Sequence, residues 1–276
     1  MVETASRKRT VRFDLVPRLV TVKSVEPITP RYVRVTVAGD SLAGFQSLDP
    51  EDHIKLAFPE PGADAPVMPA VGEKGISYPE GARRPTLRDY TPRRFSADSN
   101  ELVIDFVIHG EGPASNWAAQ AAPGQKLGIL GPRGSHVVDD VFDWYLLIGD
   151  ETVLPSIARR MEEAKAGTKI VAFIEVNDEG DEQAIETAAR TDITWVYRNG
   201  AKPGTTPVLE EAVRDWCAAG IPPGEAHVWA GGEANQLRGI RRYLLNEAGF
   251  QREWTSFSGH WKLGVADHDH HEPIED

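Results

Sequence analysis

The residues whose types and spacing could do chemistry gather first at Arg88-Asp89-Tyr90-Thr91. In an extended strand, Arg88 and Tyr90 point to one face and Thr91 to the other. A guanidinium pairs in a fork with a diphosphate. A phenol ring lies along a π-system, and a hydroxyl reaches a ring nitrogen. Together they suit a flat, anionic cofactor, and FAD carries all three partners. A solvated strand end is the alternative that these few residues leave open. A second stretch is Gly110-Glu111-Gly112-Pro113-Ala114-Ser115-Asn116-Trp117-Ala118. Glycines that lead into proline and a short apolar run start a helix, and the free N–H groups of a helix start attract phosphate. An ordinary capped helix has the same sequence signature.

A third group lies at two strand ends, Gly149-Asp150-Glu151-Thr152 and Gly231-Gly232-Glu233. Ligands of open α/β sheets sit beyond the carboxyl ends of strands, and glycine there lets a ligand approach the backbone. Neither stretch is a GxGxxG fingerprint or a Walker loop, so an ordinary dinucleotide-fingerprint dehydrogenase is disfavoured. Plain strand-to-helix turns remain the alternative. Arg198, Lys202, Arg238, Arg241 and Arg242 could meet a 2′-phosphate or form a solvated basic face. NADPH and NADH are therefore both open.

These residues need elements to position them. Leu19–Val25, Arg31–Val37, His53–Phe58, Leu102–Ile108 and Lys126–Leu130 read as short, alternating strands. With little helix between them they predict a small antiparallel β-barrel. Residues 59–85 are rich in Pro and Gly and read as a long structureless connection that covers the cofactor. From Trp144 the texture changes. Trp144–Asp150, Lys169–Glu175, Ile193–Tyr197 and Ala226–Gly232 read as buried strands. Helices are expected near Pro155–Ala166, Glu182–Ala189, Val208–Ala219 and Asn235–Ala248. This alternation predicts a doubly wound parallel sheet. The expected organisation is a flexible arm over 1–18, a barrel over 19–141, an α/β domain over 142–264 and a flexible acidic, His-containing tail over 265–276.

Bulk properties narrow the class. The 276 residues carry a net charge of -12, which argues against nucleic acid or anionic membrane as a main partner. Cys217 is the only cysteine, so there is no internal disulfide, and its helical setting reads as a buried thiol. No apolar run is long enough to span a bilayer, and the basic N-terminus lacks the apolar core of a secretory signal. A cytoplasmic monomer is the expectation. The His268-Asp269-His270-His271-Glu272 tract has a metal-binding composition, but a solvated tail is expected there and no protein metal ligand.

A barrel that carries Arg-x-Tyr-Thr, followed by an α/β domain, resembles the ferredoxin–NADP reductase superfamily. Asp105-Phe106-Val107-Ile108-His109-Gly110-Glu111-Gly112-Pro113-Ala114-Ser115-Asn116-Trp117-Ala118 looks like the signature of siderophore-interacting proteins, which are ferric-siderophore reductases. Gly149-Asp150-Glu151-Thr152-x-x-Pro155 and the ending Gly259-His260-Trp261-Lys262-Leu263-Gly264 resemble the same family, and the likeness runs from about Leu19 to Gly264. It implies FAD in the barrel, held by Arg88, Tyr90 and Thr91, with Asp105, Val107, His109, Gly112, Ala114, Ser115 and Trp117 along the ribityl and diphosphate. It also implies NADPH or NADH at Gly149, Asp150, Glu151, Thr152, Gly231, Gly232 and Glu233. His260 and Lys262 replace the Tyr and Arg that commonly flank the tryptophan, which leaves NADPH, NADH or another reduced carrier as donor.

The implied chemistry joins a two-electron hydride donor to a one-electron ferric acceptor, a mismatch that a flavin bridges. A ferric siderophore often carries negative charge on hard oxygen donors. That calls for a basic pocket on an acidic protein, with Lys55, Arg133 and Lys262 as candidates. The competing readings are a general NAD(P)H-flavin or ferredoxin-type reductase and a non-catalytic siderophore-binding module.

Overall fold

The computed structural model describes residues 7–73, 75–110, 112–265, 268, 272 and 274. The chain divides into two compact units, Met1–Asp139 and Asp140–Asp276.

The first unit contains β1 (Lys8–Arg12), β2 (Pro17–Thr29), β3 (Tyr32–Ala38), β4 (Ile54–Phe58), β5 (Ala70–Gly72), β6 (Gly75–Ser77), β7 (Thr86–Tyr90), β8 (Arg94–Ser96), β9 (Glu101–Val107), α1 (Pro113–Ala119), β10 (Lys126–Leu130) and β11 (Gly134–Val138). Seven strands pair antiparallel in the order β7-β4-β10-β2-β3-β9-β8. Laid flat, the two edges of such a sheet would stand about 29 Å apart at the usual strand spacing. Yet only Thr91-Pro92-Arg93 separates edge strand β7 from edge strand β8, and the four virtual bonds from Tyr90 to Arg94 reach about 14 Å at most. The sheet must roll, and the short link is the physical reason for a barrel-like form. Alternation supplies the interior: Val20, Val22, Val35, Val37, Ile54, Leu56, Leu102, Ile104, Leu127 and Ile129 all face one core. Helix α1 plugs it with Trp117, whose ring lies 5.5 Å from Phe58 and 5.6 Å from Phe106.

Two expectations change here. The arm over 1–18 is not wholly flexible, because β1 pairs antiparallel with β11 and β2 already begins at Pro17. Five residues with three cations carry no apolar periodicity, so only the partner strand reveals β1. The connection over 59–85 is not structureless either. It contains the β5–β6 hairpin, with Val71 opposite Ile76. Met68 lies against Gly128, so a Cβ at that glycine would collide with the Met68 sulfur. Leu127 and Ile129 face the core, so Gly128 faces out, and this anchor lies on the outside of the sheet.

The second unit holds β12 (Trp144–Asp150), α2 (Leu154–Glu163), β13 (Lys169–Val176), β14 (Arg190–Tyr197), α3 (Val208–Ala219), β15 (Ala226–Glu233), α4 (Ala234–Asn246) and β16 (Thr255–Trp261). Its five strands are parallel in the order β14-β13-β12-β15-β16. By rank in the chain this is 3-2-1-4-5, so the direction of winding reverses between β12 and β15. Leu146 and Ile148 pack with Leu209, Val213, Leu237 and Ile240 of α3 and α4. Gly149, on the opposite face, meets Val153 and Ile157 of the α2 side. Helices thus cover both faces, which makes the sheet doubly wound. Cys217 is buried in α3, and burial raises its thiol pKa.

The helix expected near Glu182–Ala189 is absent: residues 183–189 are irregular and lead straight into β14. Strand β16 went unread because Ser256, Ser258 and His260 break any apolar run. An edge strand, half open to solvent, needs no continuous run. Within the expected tail, Asp269, His270 and His271 lie outside the described residues. Ile274 is buried in the α/β core. No described helix is long and apolar enough to cross a membrane.

Candidate functional site

In the first unit the flavin candidates concentrate on β7 and the turn into α1. Strand β7 ends the strand order of the sheet and pairs with β4. Register places Tyr90 opposite Ile54 and Arg88 opposite Leu56. Tyr90 and Arg88 therefore share the inward-facing row at the rim of the barrel. The Tyr90 ring packs 4.5 Å from Phe106 and is only partly buried. Burial raises its phenol well above the ordinary value, so it stays a neutral donor. Arg88 is likewise half-buried, with Nη1 donating to the Leu87 carbonyl at 2.7 Å. Thr91 is buried where the chain leaves the strand.

The α1 turn supplies donors rather than charges. Gly110 and Gly112 take φ of 77° and 90°, a region that favours glycine, and no side chain caps the helix. The N–H groups of Ala114 and Ser115 in its first turn have no acceptor within the helix. The Ser115 hydroxyl instead accepts from the backbone N–H of His109 at 3.0 Å, which fixes the turn. A fork-shaped cation, a half-open phenol and uncapped helix donors fit the ribityl and diphosphate of FAD.

Two expected contacts have other partners. The Asp105 carboxylate is clamped by Arg34, with Nε and Nη2 both at 2.7 Å, and lies 3.6 Å from Arg93. It ties β9 to β3 and to the link that precedes β8. Trp117 is core, wedged between Phe58 and Phe106. Val107 sits opposite Tyr32 at the end of β9, and His109 is exposed just beyond it.

In the second unit the carboxyl ends of β12 and β15 meet at the winding reversal, with Gly149 opposite Gly231. The expectation that these glycines make room for a ligand is corrected. Val153 fills the space over both, and a Cβ at Gly149 would also come within 2.8 Å of the Gly231 carbonyl. Gly232 has φ of 133°, and a Cβ there would lie 2.6 Å from the Asp150 carboxylate. Asp150 is a bracket. Its Oδ1 accepts from the Thr152 N–H at 2.8 Å and hydroxyl at 2.6 Å. Its Oδ2 accepts from the Glu233 N–H at 3.1 Å and Trp261 Nε1 at 2.8 Å. Glu233 caps α4 by accepting from the Gln236 N–H at 2.7 Å, and also accepts from the Leu263 N–H at 3.0 Å.

Arg198, a candidate for a 2′-phosphate, is buried and committed elsewhere. Its Nη2 donates to Glu151 at 2.8 Å, its Nη1 pairs with the other Glu151 oxygen, and Glu175 lies 3.4 Å away. Glu175 also accepts from Gln236 Nε2 at 2.7 Å. Asp150, Glu151, Glu175 and Glu233 are thus all buried at these strand ends, and Arg198 pairs with Glu151 and Glu175. Glu175 was missed because an acid ending an apolar strand looks like a solvent-facing terminus.

Burial pushes Glu151 up to about 7, against the pull of Arg198. Burial raises Asp150 and Glu175 as well. Between 4.5 and about 7 native Glu151 keeps a proton that the unfolded chain has released. Its stabilisation is therefore complete below 4.5 and is lost as pH rises through 7. The thermal midpoint of the α/β unit is expected to fall across that window in the native chain. The fall should be shallower in Glu151→Gln, and equal slopes would contradict this.

The three cations expected at a substrate site occupy different places. Lys55 lies on β4, exposed, and the register that sets Leu130 beside it brings the chain on to exposed Arg133. Lys262 follows β16 in the second unit and bridges to Val265.

A rolled antiparallel sheet with a candidate flavin site, and a parallel sheet with a candidate nucleotide site at its winding reversal, fit a flavin-dependent reductase architecture. Comparison with known proteins gives the family. The siderophore-interacting FAD-binding domain matches residues 21–136, and the siderophore-interacting protein domain matches residues 142–264. The NADPH-dependent ferric-chelate reductase of Escherichia coli K12 is 38% identical over 236 residues, 84% of this chain and 88% of that protein. The ferric vibriobactin reductase of Vibrio cholerae is 32% identical over 259 residues, 93% of each. A siderophore utilization protein from T. fusca superposes with a TM-score of 0.88 at 42% identity, covering 96% of this chain and 99% of that one. The chain belongs to the siderophore-interacting protein family, and its first unit is that family's FAD-binding domain.

Proposed function

We propose that this protein uses NADPH and bound FAD to reduce the iron of ferric siderophores, releasing it as ferrous iron. The observation that carries the reading is the grip on β7 and α1, which offers charge, ring and donors to one flavin-sized cofactor. The names of the two reductases, matched over most of their length, support the substrate class and the donor. When bound, FAD converts a two-electron donation into single-electron deliveries. The chain's residues do the rest. Arg88 and the first-turn N–H groups of α1 anchor the diphosphate, Tyr90 lies along the cofactor, and Thr91 reaches its ring edge. The crevice between β12 and β15, with the uncapped start of α2 beside it, receives the nicotinamide nucleotide. Asp150 and Glu233 shape that rim through backbone and Trp261 contacts. Lys55, Arg133 and Lys262 attract the anionic chelate, in a cytoplasmic monomer that takes no nucleic acid or membrane partner.

Replacing Lys55, Arg133 and Lys262 together by Ala tests the substrate site. The KM for an anionic ferric chelate is expected to rise about tenfold at low salt, with FAD content unchanged. An unchanged KM removes these cations from the site.

A further inference from the structure

Strand β7 has two working faces. Arg88 and Tyr90 point inward, so Asp89 between them points out. Register sets Asp89 directly opposite Lys55 on β4. Lys55 Nζ donates to both Asp89 carboxylate oxygens at 2.9 Å. The side chains are 46% and 29% exposed, so the pair contributes about 0–1 kcal/mol to folding. The pair itself therefore adds little to folding. The pair does have a consequence for charge. Lys55 points to this outer surface as one of the cations proposed for the chelate, and Asp89 offsets part of its charge.

We propose that Asp89 is a specificity-determining residue that sets the charge selectivity of the ferric-chelate site by holding Lys55 as a half-neutralised cation. This rests on the substrate reading given above. With Asp89 present, a triply anionic chelate must compete with the carboxylate for the Lys55 ammonium, whereas a chelate near neutrality loses nothing. Asp89 therefore trades affinity for strongly anionic chelates against tolerance of less charged ones. It also fixes the ammonium, because a lysine stem is otherwise free to rotate.

The test uses gallium(III) chelates, which copy the ferric complexes but are not reduced, so binding is read without turnover. Calorimetry on the FAD-loaded protein compares gallium tris-catecholate, triply anionic, with gallium desferrioxamine, which lacks that charge. In Asp89→Asn, tris-catecholate is expected to bind about five- to tenfold more tightly at low salt, with the gain shrinking as salt is added. Desferrioxamine binding should not tighten and should weaken by no more than about twofold, since its complex carries one positive charge and no anion for the freed ammonium to attract. Asp89→Glu should restore native selectivity, and Asp89→Ser replaces Asn should that variant fold poorly by thermal unfolding. Unchanged or weaker tris-catecholate binding in the neutral variants overturns the proposal. Failure of the substrate reading looks different: the native protein would then bind neither gallium chelate and turn over no ferric one.

Discussion

Arg88→Ala is expected to purify without flavin and to bind added FAD about a hundredfold more weakly than the native protein. The size follows from the bonds at stake. A guanidinium on a diphosphate makes charge-assisted hydrogen bonds worth roughly 1.5–3 kcal/mol each. At about 1.4 kcal/mol per factor of ten, losing one strong bond or two weak ones, about 3 kcal/mol in all, gives roughly a hundredfold. Arg88 is only half-buried on the outermost strand of the sheet, so its removal leaves the Ile54–Leu56 core in place. The melting curve of flavin-free protein should then match that of native apoprotein. Arg88→Lys should recover only part of the affinity, because an ammonium keeps the charge and loses the fork. Fluorescence titration with FAD checks both variants. Native affinity in Arg88→Ala would move the diphosphate away from β7 and leave α1 as its main anchor.

The largest effect on stability is expected at Arg198. Arg198→Met removes the one guanidinium that Glu151 and Glu175 share in the interior of the second unit. Breaking one side of a buried ion pair costs about 3–5 kcal/mol, because the remaining charge is left without compensation. For a unit of this size that corresponds to a fall of roughly 10–25 °C in its thermal midpoint. The loss should deepen with pH, since below neutrality Glu151 can take up a proton and escape the penalty. Adding Glu151→Gln to Arg198→Met should restore part of the stability, a non-additivity expected of direct contacts. Differential scanning calorimetry at two pH values reads both effects. A shift of only a degree or two in Arg198→Met would mean that the cluster is solvated and that its carboxylates carry no burial penalty.

Legibility in the sequence followed burial. Strand β12, apolar at nearly every position, and β10, a short apolar run after Lys126, were readable to the residue. So was α3, whose apolar face recurs at helical spacing. Strands β1 and β16 were not, since an edge or satellite strand draws its order from a partner distant in the chain. Arg-x-Tyr-Thr drew attention as a flavin candidate because its residue types are unusual together, and the register sets Arg88 and Tyr90 on one face. Trp117 and Asp105, in a matching signature, turned out to hold the scaffold, and no local pattern separates a ligand contact from a support for one. The glycines after β12 and β15 show the same limit: glycine states that something approaches closely, and here it is Val153 and the Asp150 carboxylate. Asp89, the unspecified position of the motif, acquires meaning only from the β4 register.

The most direct test of ferric-siderophore reduction is an anaerobic titration followed by visible absorption. Protein loaded with FAD is bleached with one equivalent of NADPH, in parallel with NADH, and a ferric siderophore is then added beside a ferrous-specific chelator. The expected result is bleaching by NADPH, then return of the flavin absorption as the ferrous complex forms, two irons for each flavin. Flavin that stays bleached in the presence of the ferric siderophore, with no ferrous complex appearing, would contradict the proposed function.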